Sequence, residues 1–325
     1  MIDLSTNYAG LKLKTPIMVS SSGLTNSIER IKKIATAGAG AVVLKSLFEE
    51  QILHEIGNMK AGSDYPEAED YLRTYARENS LDNYLKMIRD AKDSVDIPVF
   101  ASINCVSAAE WIDFTREIEK AGADGIELNI YFLPINKDKD PREYENTYLK
   151  LVSQVKEKTK LPVVVKVGSG FSNITWLVNQ LYIRGAAAVV LFNRFYAPDI
   201  DTDSFTFGSA EVLSSPSDIR DSLRWIGIVS SQVKEIDIAA STGVHSGMAA
   251  VKQLLAGATA VQVCSVLYRN GVEYIREMIS EMKKWMEKKN YNNLSDFKGR
   301  LNYSNLKDPS VYERAQFIRY FSQMH

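Results

Sequence analysis

Eight short apolar runs, separated by amphipathic stretches of helical period and repeatedly approached through the same small residues, predict an α/β protein. The architecture they fit is a single-domain (β/α)8 barrel of the TIM type over residues 1–325, with long loops after strands two and six and a C-terminal helical extension. The runs lie at 16–20, 41–46, 98–104, 125–130, 162–167, 188–193, 237–241 and 260–264. Continuous rather than alternating apolar character is the mark of parallel strands covered on both faces. Strands two, four, six and eight follow Ala37-Gly-Ala-Gly-Ala41, Ala121-Gly-Ala-Asp-Gly125, Gly185-Ala-Ala-Ala188 and Ala256-Gly-Ala-Thr-Ala260. In each, a glycine ends the preceding helix and small residues let the chain turn straight into a strand. Strands one, three and five begin instead after Thr15-Pro16, Ile97-Pro98 and Leu161-Pro162, where a proline sacrifices no ladder donor. Eight such units suit a closed barrel better than a doubly wound sheet, and neither GxGxxG nor a P-loop occurs.

Two connections exceed an ordinary βα loop, 47–80 and 194–218. Both leave the C-terminal ends of their strands, the face on which barrels carry active sites, and are read as lids. Lys plus Arg, 39, nearly balances Asp plus Glu, 40, so no broad basic field is present to hold nucleic acid or an anionic membrane. A small-molecule partner is expected, with a homodimer as the candidate assembly. The N-terminus lacks the basic and then apolar regions of a signal peptide, and no run approaches the ~20 apolar residues needed to span a bilayer. A cytoplasmic protein is expected. Two cysteines, Cys105 and Cys264, make no disulfide framework, and His54, His245 and His325 show no metal-ligand spacing, so no metal is expected.

The strand ends are polar in a patterned way: Ser20-Ser21-Ser22-Gly23, Lys45-Ser46, Asn104-Cys105, Asn129, Lys166, Asn193, Ser241-Thr242-Gly243 and Cys264-Ser265. Buried ammonium and amide groups need partners, and several converging on one face point to a ligand. Ser241–Val244 and Cys264-Ser265 follow strands seven and eight, where barrels often bind phosphate through backbone N–H groups and a short helix. Strand-end lysines also serve Schiff-base lyases, in which a desolvated amine attacks a carbonyl. At this level both readings stand.

Four stretches resemble the dihydroorotate dehydrogenase family: Leu13-Lys-Thr-Pro-Ile-Met-Val-Ser-Ser-Ser-Gly23 with Val43-Leu-Lys-Ser46; Gly125-Ile-Glu-Leu-Asn129; Pro162-Val-Val-Val-Lys166; and Ser241-Thr-Gly-Val244 with Leu255-Ala-Gly-Ala-Thr-Ala-Val-Gln-Val263. The closing Tyr291-Asn-Asn-Leu-Ser-Asp-Phe-Lys-Gly299 resembles the family's Ile-x-Asp-Phe-x-Gly. The resemblance implies an FMN-dependent dehydrogenase acting on a CH–CH bond, in the family the conversion of dihydroorotate to orotate in pyrimidine biosynthesis. It places Ser20, Ser21, Lys45 and Ser46 along the flavin ring and Asn104 and Asn129 on the ring or the substrate. Lys166 falls beside N1 and O2, and Asn193 faces substrate and flavin, with Lys45 and Asn129 also on the substrate side. Thr242, Gly243, Val244, Cys264 and Ser265 meet the phosphate.

The departures concern the substrate. Family members follow Glu-Leu-Asn with Ser or Gly and then a Cys or Ser that takes a proton from dihydroorotate. Here the chain reads Ile130-Tyr-Phe-Leu-Pro134-Ile-Asn136, and the asparagine-rich substrate loop is unrecognisable in 57–83. Leu128-Asn-Ile-Tyr131, Leu191-Phe-Asn-Arg-Phe-Tyr196 and Leu223-Arg-Trp-Ile226 together resemble a divergent dihydroorotate dehydrogenase-like branch, and a different substrate is an expected alternative. Tyr131 is the candidate proton-transfer group, although a phenol of ordinary pKa about 10 is a weak base near neutrality. A flavin binder without turnover is the non-catalytic alternative. The early start of strand one argues against the extra N-terminal helix of the family's membrane-linked class.

Overall fold

The computed structural model describes residues 2–48, 66–104, 108–130, 132–194, 198–209 and 211–313. A hairpin, β1 (Thr6–Tyr8) and β2 (Leu11–Leu13), precedes the barrel strands. The order is then β3 (Ile17–Val19), α1 (Ile28–Ala37), β4 (Ala41–Val43), β5 (Leu47–Phe48), α2 (Pro66–Ser94), β6 (Val99–Asn104), α3 (Ala108–Lys120), β7 (Gly125–Asn129) and α4 (Pro141–Lys158). There follow β8 (Val163–Val167), α5 (Ile174–Ile183), β9 (Ala188–Leu191), β10 (Pro198–Asp201), β11 (Thr206–Ser209), α6 (Ile219–Gln232), β12 (Asp237–Ala240), α7 (Gly247–Ala256), β13 (Ala260–Val263), α8 (Ser265–Asn270) and α9 (Tyr274–Lys289). Parallel pairing runs β3, β4, β6, β7, β8, β9, β12, β13 and back to β3, a closed ring of eight. Each apolar run named above carries one of these strands. The glycines of the repeated approach, Gly38, Gly122, Gly185 and Gly257, all take positive φ after their helices, the conformation that glycine adopts without a Cβ penalty.

Alternation along the strands sorts the core into two bodies. Ile17, Val19, Val42, Val163 and Val165 face the helices, in the large cluster with Ile31, Leu151 and Met282. Met18, Ala41, Val43, Phe100, Val164, Val190 and Ala260 form a second cluster inside the barrel, joined by Tyr8 and Leu13 of the hairpin. The hairpin thus plugs the barrel floor. Its turn residues Ala9 and Gly10 both have positive φ, as two-residue hairpins favour, and the Ala9 N–H is received by Asp237 Oδ2 at 2.8 Å.

Two expected loops carry more structure than their composition conveyed. The interval 47–80 contains β5 and the first part of α2, which starts at Pro66. The interval 194–218 contains the antiparallel pair β10 and β11, with Ile200 opposite Phe207. At the C-terminus α9 packs against α7 and α1 and completes the helical layer, and the extension beyond it consists of 3-10 turns at Leu294–Asp296, Tyr303–Asn305 and Pro309–Tyr312.

Candidate active site

Above the apolar floor the inward positions turn polar: Ser20 on the end of β3, Ser102 on β6, Glu127 and Asn129 on β7, Lys166 on β8 and Gln262 on β13. Lys166 is 6 % exposed, Glu127 1 % and Gln262 2 %. An ammonium taken from water must find oxygen acceptors, and Lys166 Nζ donates to Ser20 Oγ at 2.9 Å and to Gln262 Oε1 at 3.1 Å. An ammonium has three donors, so one is left for whatever enters the cavity it lines. Gln262 Nε2 donates in turn to Glu127 Oε2 at 2.5 Å. Burial pushes the Glu127 carboxyl above its ordinary value, opposed by the nearby Lys166 charge and the Gln262 hydrogen bond.

A second polar chain crosses the same face. Ser46 Oγ lies 2.9 Å from Ser21 Oγ and 2.7 Å from Ser102 Oγ, and the Ser46 N–H donates to Ser21 Oγ at 2.7 Å. Asn193 Nδ2 donates to Asn129 Oδ1 at 2.7 Å, and Asn129 Nδ2 reaches Ser46 Oγ at 3.4 Å. These contacts join four predicted residues, Ser21, Ser46, Asn129 and Asn193, and Ser21 and Asn193 share one cavity with Ser20 and Lys166 of the first chain.

The cavity above them, about 540 Å³, is closed on its far side by the loops after β12 and β13. Thr242 and Gly243 both have positive φ, and the Thr242 hydroxyl is anchored on the Phe192 carbonyl at 3.2 Å. Among the described residues the N–H groups of Thr242, Gly243 and Val244 have no acceptor. A Cβ on Gly243 would stand 2.1 Å from the Ile219 nitrogen at the start of α6, so only glycine allows this approach. Ser265 Oγ accepts the Ser214 N–H at 2.9 Å, and Ser214 Oγ lies 3.0 Å from His245 Nε2. Burial, reinforced by Arg269, lowers the His245 pKa and favours the neutral ring near pH 7. Burial raises the Cys264 thiol, which therefore lines the cavity as a neutral group.

Not every predicted residue joins this cavity. Lys45 and Ser46 line a separate one of about 260 Å³ with Thr25, Asn26, Asn83 and Tyr84, beneath the C-terminal half of α2, and Asn129 lines neither. Asn104 ends β6 half-buried, in register with Phe48. Tyr131, Cys105 and the 49–65 portion of the first lid lie outside the described residues. Conversely, Glu127, Gln262, Arg194, Ser214 and His245 received no role from the sequence. The signal for the first two was present, a carboxylate and an amide inside otherwise apolar strands, Ile126-Glu127-Leu128 and Val261-Gln262-Val263.

A closed barrel with a small-molecule cavity over its C-terminal strand ends and a buried cation beneath it defines a ligand-binding (β/α)8 protein of the enzyme type. The model of the family described as dihydroorotate dehydrogenase matches residues 3–286, and the chain belongs to that family. It is similar to the protein named dihydroorotate dehydrogenase B (NAD(+)), catalytic subunit, of Thermoplasma acidophilum, 28 % identical over 314 residues, covering 92 % of this chain and 99 % of the relative. The proteins of the same name from Pyrococcus furiosus and Methanocaldococcus jannaschii are 27 % and 26 % identical, over 89 % and 88 % of this chain and 96 % and 94 % of theirs. No helix among the described residues is long and apolar enough to cross a membrane.

Proposed function

We propose that the protein is an FMN-dependent oxidoreductase acting on a CH–CH bond of a small molecule, at or near the step in pyrimidine biosynthesis for which its relatives are named. The observation that carries this reading is the Lys166 ammonium, buried below a 540 Å³ cavity with one donor to spare. The volume lies within the usual range of small-molecule sites, about 300–1,000 Å³. The unpaired N–H groups of Thr242, Gly243 and Val244 suit a phosphate, joined by Cys264 and Ser265 at the start of α8. When bound, the flavin would supply the hydride acceptor.

The protein's own residues then do the following. Lys166 would hold positive charge toward the bound flavin, which gains electron density on reduction. Ser20, Ser21, Asn129 and Asn193 would orient ring and substrate, with Ser46 held against Ser21 and Asn129, while Asn104 and Lys45, which lines the neighbouring cavity, are proposed for the substrate side. Tyr131 is the proposed proton-transfer group, and the segments 47–80 and 194–218 are proposed to cover the site. A homodimer in the cytoplasm is the proposed assembly. An ammonium already donating to two oxygens is a poor Schiff-base nucleophile, which favours flavin over lyase chemistry. Purified protein should be yellow, or become so on adding FMN. Protein that stays colourless and forms a borohydride-trapped adduct with a carbonyl substrate on Lys45 or Lys166 would replace this reading with the lyase.

A further inference from the structure

We infer that Glu127 is a positioning residue which, acting through the Gln262 amide, fixes the Lys166 ammonium at the base of the cavity. The inference rests on the flavin reading above. Three strands contribute one side chain each: Glu127 from β7, Gln262 from β13 and Lys166 from β8. The chain has a polarity. Gln262 Nε2 donates to Glu127 Oε2, and this leaves Gln262 Oε1 to accept from Lys166 Nζ at 3.1 Å. A glutamine amide turned over by half a rotation has almost the same shape but opposite polarity. Turned, it would aim its NH2 donors at the ammonium and its oxygen at Glu127.

An acceptor oxygen at Glu127 Oε2 is what distinguishes the two orientations. Glu127 does not line the described cavity, so it acts through Gln262 and not on a ligand. Nor does packing account for it. Its register partners are Ser102 on β6 and Val164 on β8, and Glu127 Oε1 finds no partner among the described residues. A buried group with one orphaned oxygen is an expensive way to fill space. Burial also pushes the Glu127 carboxyl upward, consistent with hydrogen-bond acceptance rather than full negative charge being what it supplies to Gln262.

The test is the midpoint potential of FMN bound to the parent protein and to Glu127→Gln, Glu127→Leu and Gln262→Met. Glu127→Gln keeps an acceptor for Gln262 and should leave the potential at the parent value. Glu127→Leu frees the amide, and Gln262→Met interrupts the chain without touching Glu127. Each should weaken binding of reduced relative to oxidised flavin about tenfold, a fall of about 30 mV for a two-electron couple. The sign separates this from a simple charge effect, because deleting a carboxylate charge would raise the potential in both Glu127 variants. A rise in both, a fall as large in Glu127→Gln as in Glu127→Leu, or no change in Glu127→Leu and Gln262→Met would each overturn the inference. Should Glu127→Leu not fold, Gln262→Met carries the same expectation. A parent that never binds FMN refutes the flavin reading instead. Crystal structures of the variants then decide, with Lys166 Nζ expected to leave residue 262 in Glu127→Leu and to stay in Glu127→Gln, and an unmoved Lys166 in both overturning it.

Discussion

Replacing Gly243 with alanine adds a single methyl group, and the structure says where that methyl would go. An ideal Cβ there lies 2.1 Å from the Ile219 nitrogen and 2.6 Å from the Asp218 carbonyl carbon, both backbone atoms at the start of α6. Backbone at a helix start cannot swing aside as a side chain can, so the loop or the helix must shift. The φ of +78° adds a second term. A left-handed L-residue costs about 1–2 kcal/mol and overpacking about 1–3 kcal/mol, so Gly243→Ala should destabilise by about 2–5 kcal/mol. With an unfolding entropy of about 2.1 cal/mol/K per residue over 325 residues, that corresponds to a fall in Tm of roughly 3–7 °C. Gly170→Ala is the control. Its Cβ meets nothing within 4 Å and its φ is not positive, so its stability should stay within about 0.5 kcal/mol of the parent. Thermal unfolding of the three proteins measures this, and an FMN titration of Gly243→Ala should show affinity at least about tenfold weaker, the loss of roughly one phosphate hydrogen bond to N–H. If Gly243→Ala melts with the parent and binds FMN equally well, the close approach of this loop to α6 is not what shapes this end of the cavity.

Lys166→Ala should lower the midpoint potential of bound flavin while weakening binding of the oxidised form much less, because the cation acts on the reduced ring; equal potentials in parent and variant would contradict this. With Tyr131, Phe132 and Leu133 where family members carry a Cys or Ser base, dihydroorotate turnover should be at least ~100-fold below that of relatives retaining the base. Rapid flavin bleaching by dihydroorotate in stopped flow would show that another group removes the proton. Hydrogen bonds from the Thr159 hydroxyl and the Lys160 N–H lower the pKa of Glu119, at 2.6 and 3.1 Å. A carboxyl depressed on folding adds stability that is present above its unfolded value and is lost as pH falls through the folded one. Glu119→Gln should therefore flatten part of the acid limb of stability below pH ~4.5, and identical pH profiles for the two proteins would rule this out.

What could be read from the sequence follows from what each signal depends on. Barrel strands were legible because burial on both faces demands unbroken apolar runs, and Ala37-Gly38 and its three counterparts mark helix ends that need left-handed backbone. The floor hairpin was not legible. Three-residue strands around Ala9-Gly10 have no period to detect, and Tyr8 is buried only because Met18 and Phe100 wait for it inside the barrel. Lys45 and Lys166 look alike in sequence, each closing an apolar run, yet they line different cavities. Which way a long side chain turns at a strand end depends on neighbours distant in sequence, Gln262 for one and the C-terminal half of α2 for the other. Glu127 and Gln262 were visible as exceptions in apolar strands, but their pairing is a property of the closed ring, in which β7 and β13 face each other across the interior.

The floor and the polar layer are parts of one arrangement. If the barrel were apolar throughout, its interior would be a packed core that presents no charge to a ligand. If it were polar throughout, Lys166 would be hydrated from below and its field screened. Tyr8, Met18 and Phe100 fill the lower half, so Lys166 meets water from the cavity above it, and a ligand that fills the cavity displaces that water. The Lys166 charge then acts through a medium with few mobile dipoles, where a fixed cation is most effective on charge developing nearby. The same packing explains why Lys166 depends on Ser20 and Gln262: with no solvent beneath it, acceptors must be built in. A stability penalty in this layer is therefore a condition of the electrostatics above it, and an apolar residue at Gln262, which strips an acceptor from Lys166 and a donor from Glu127, should cost stability as well as weaken what Lys166 does to a bound ligand.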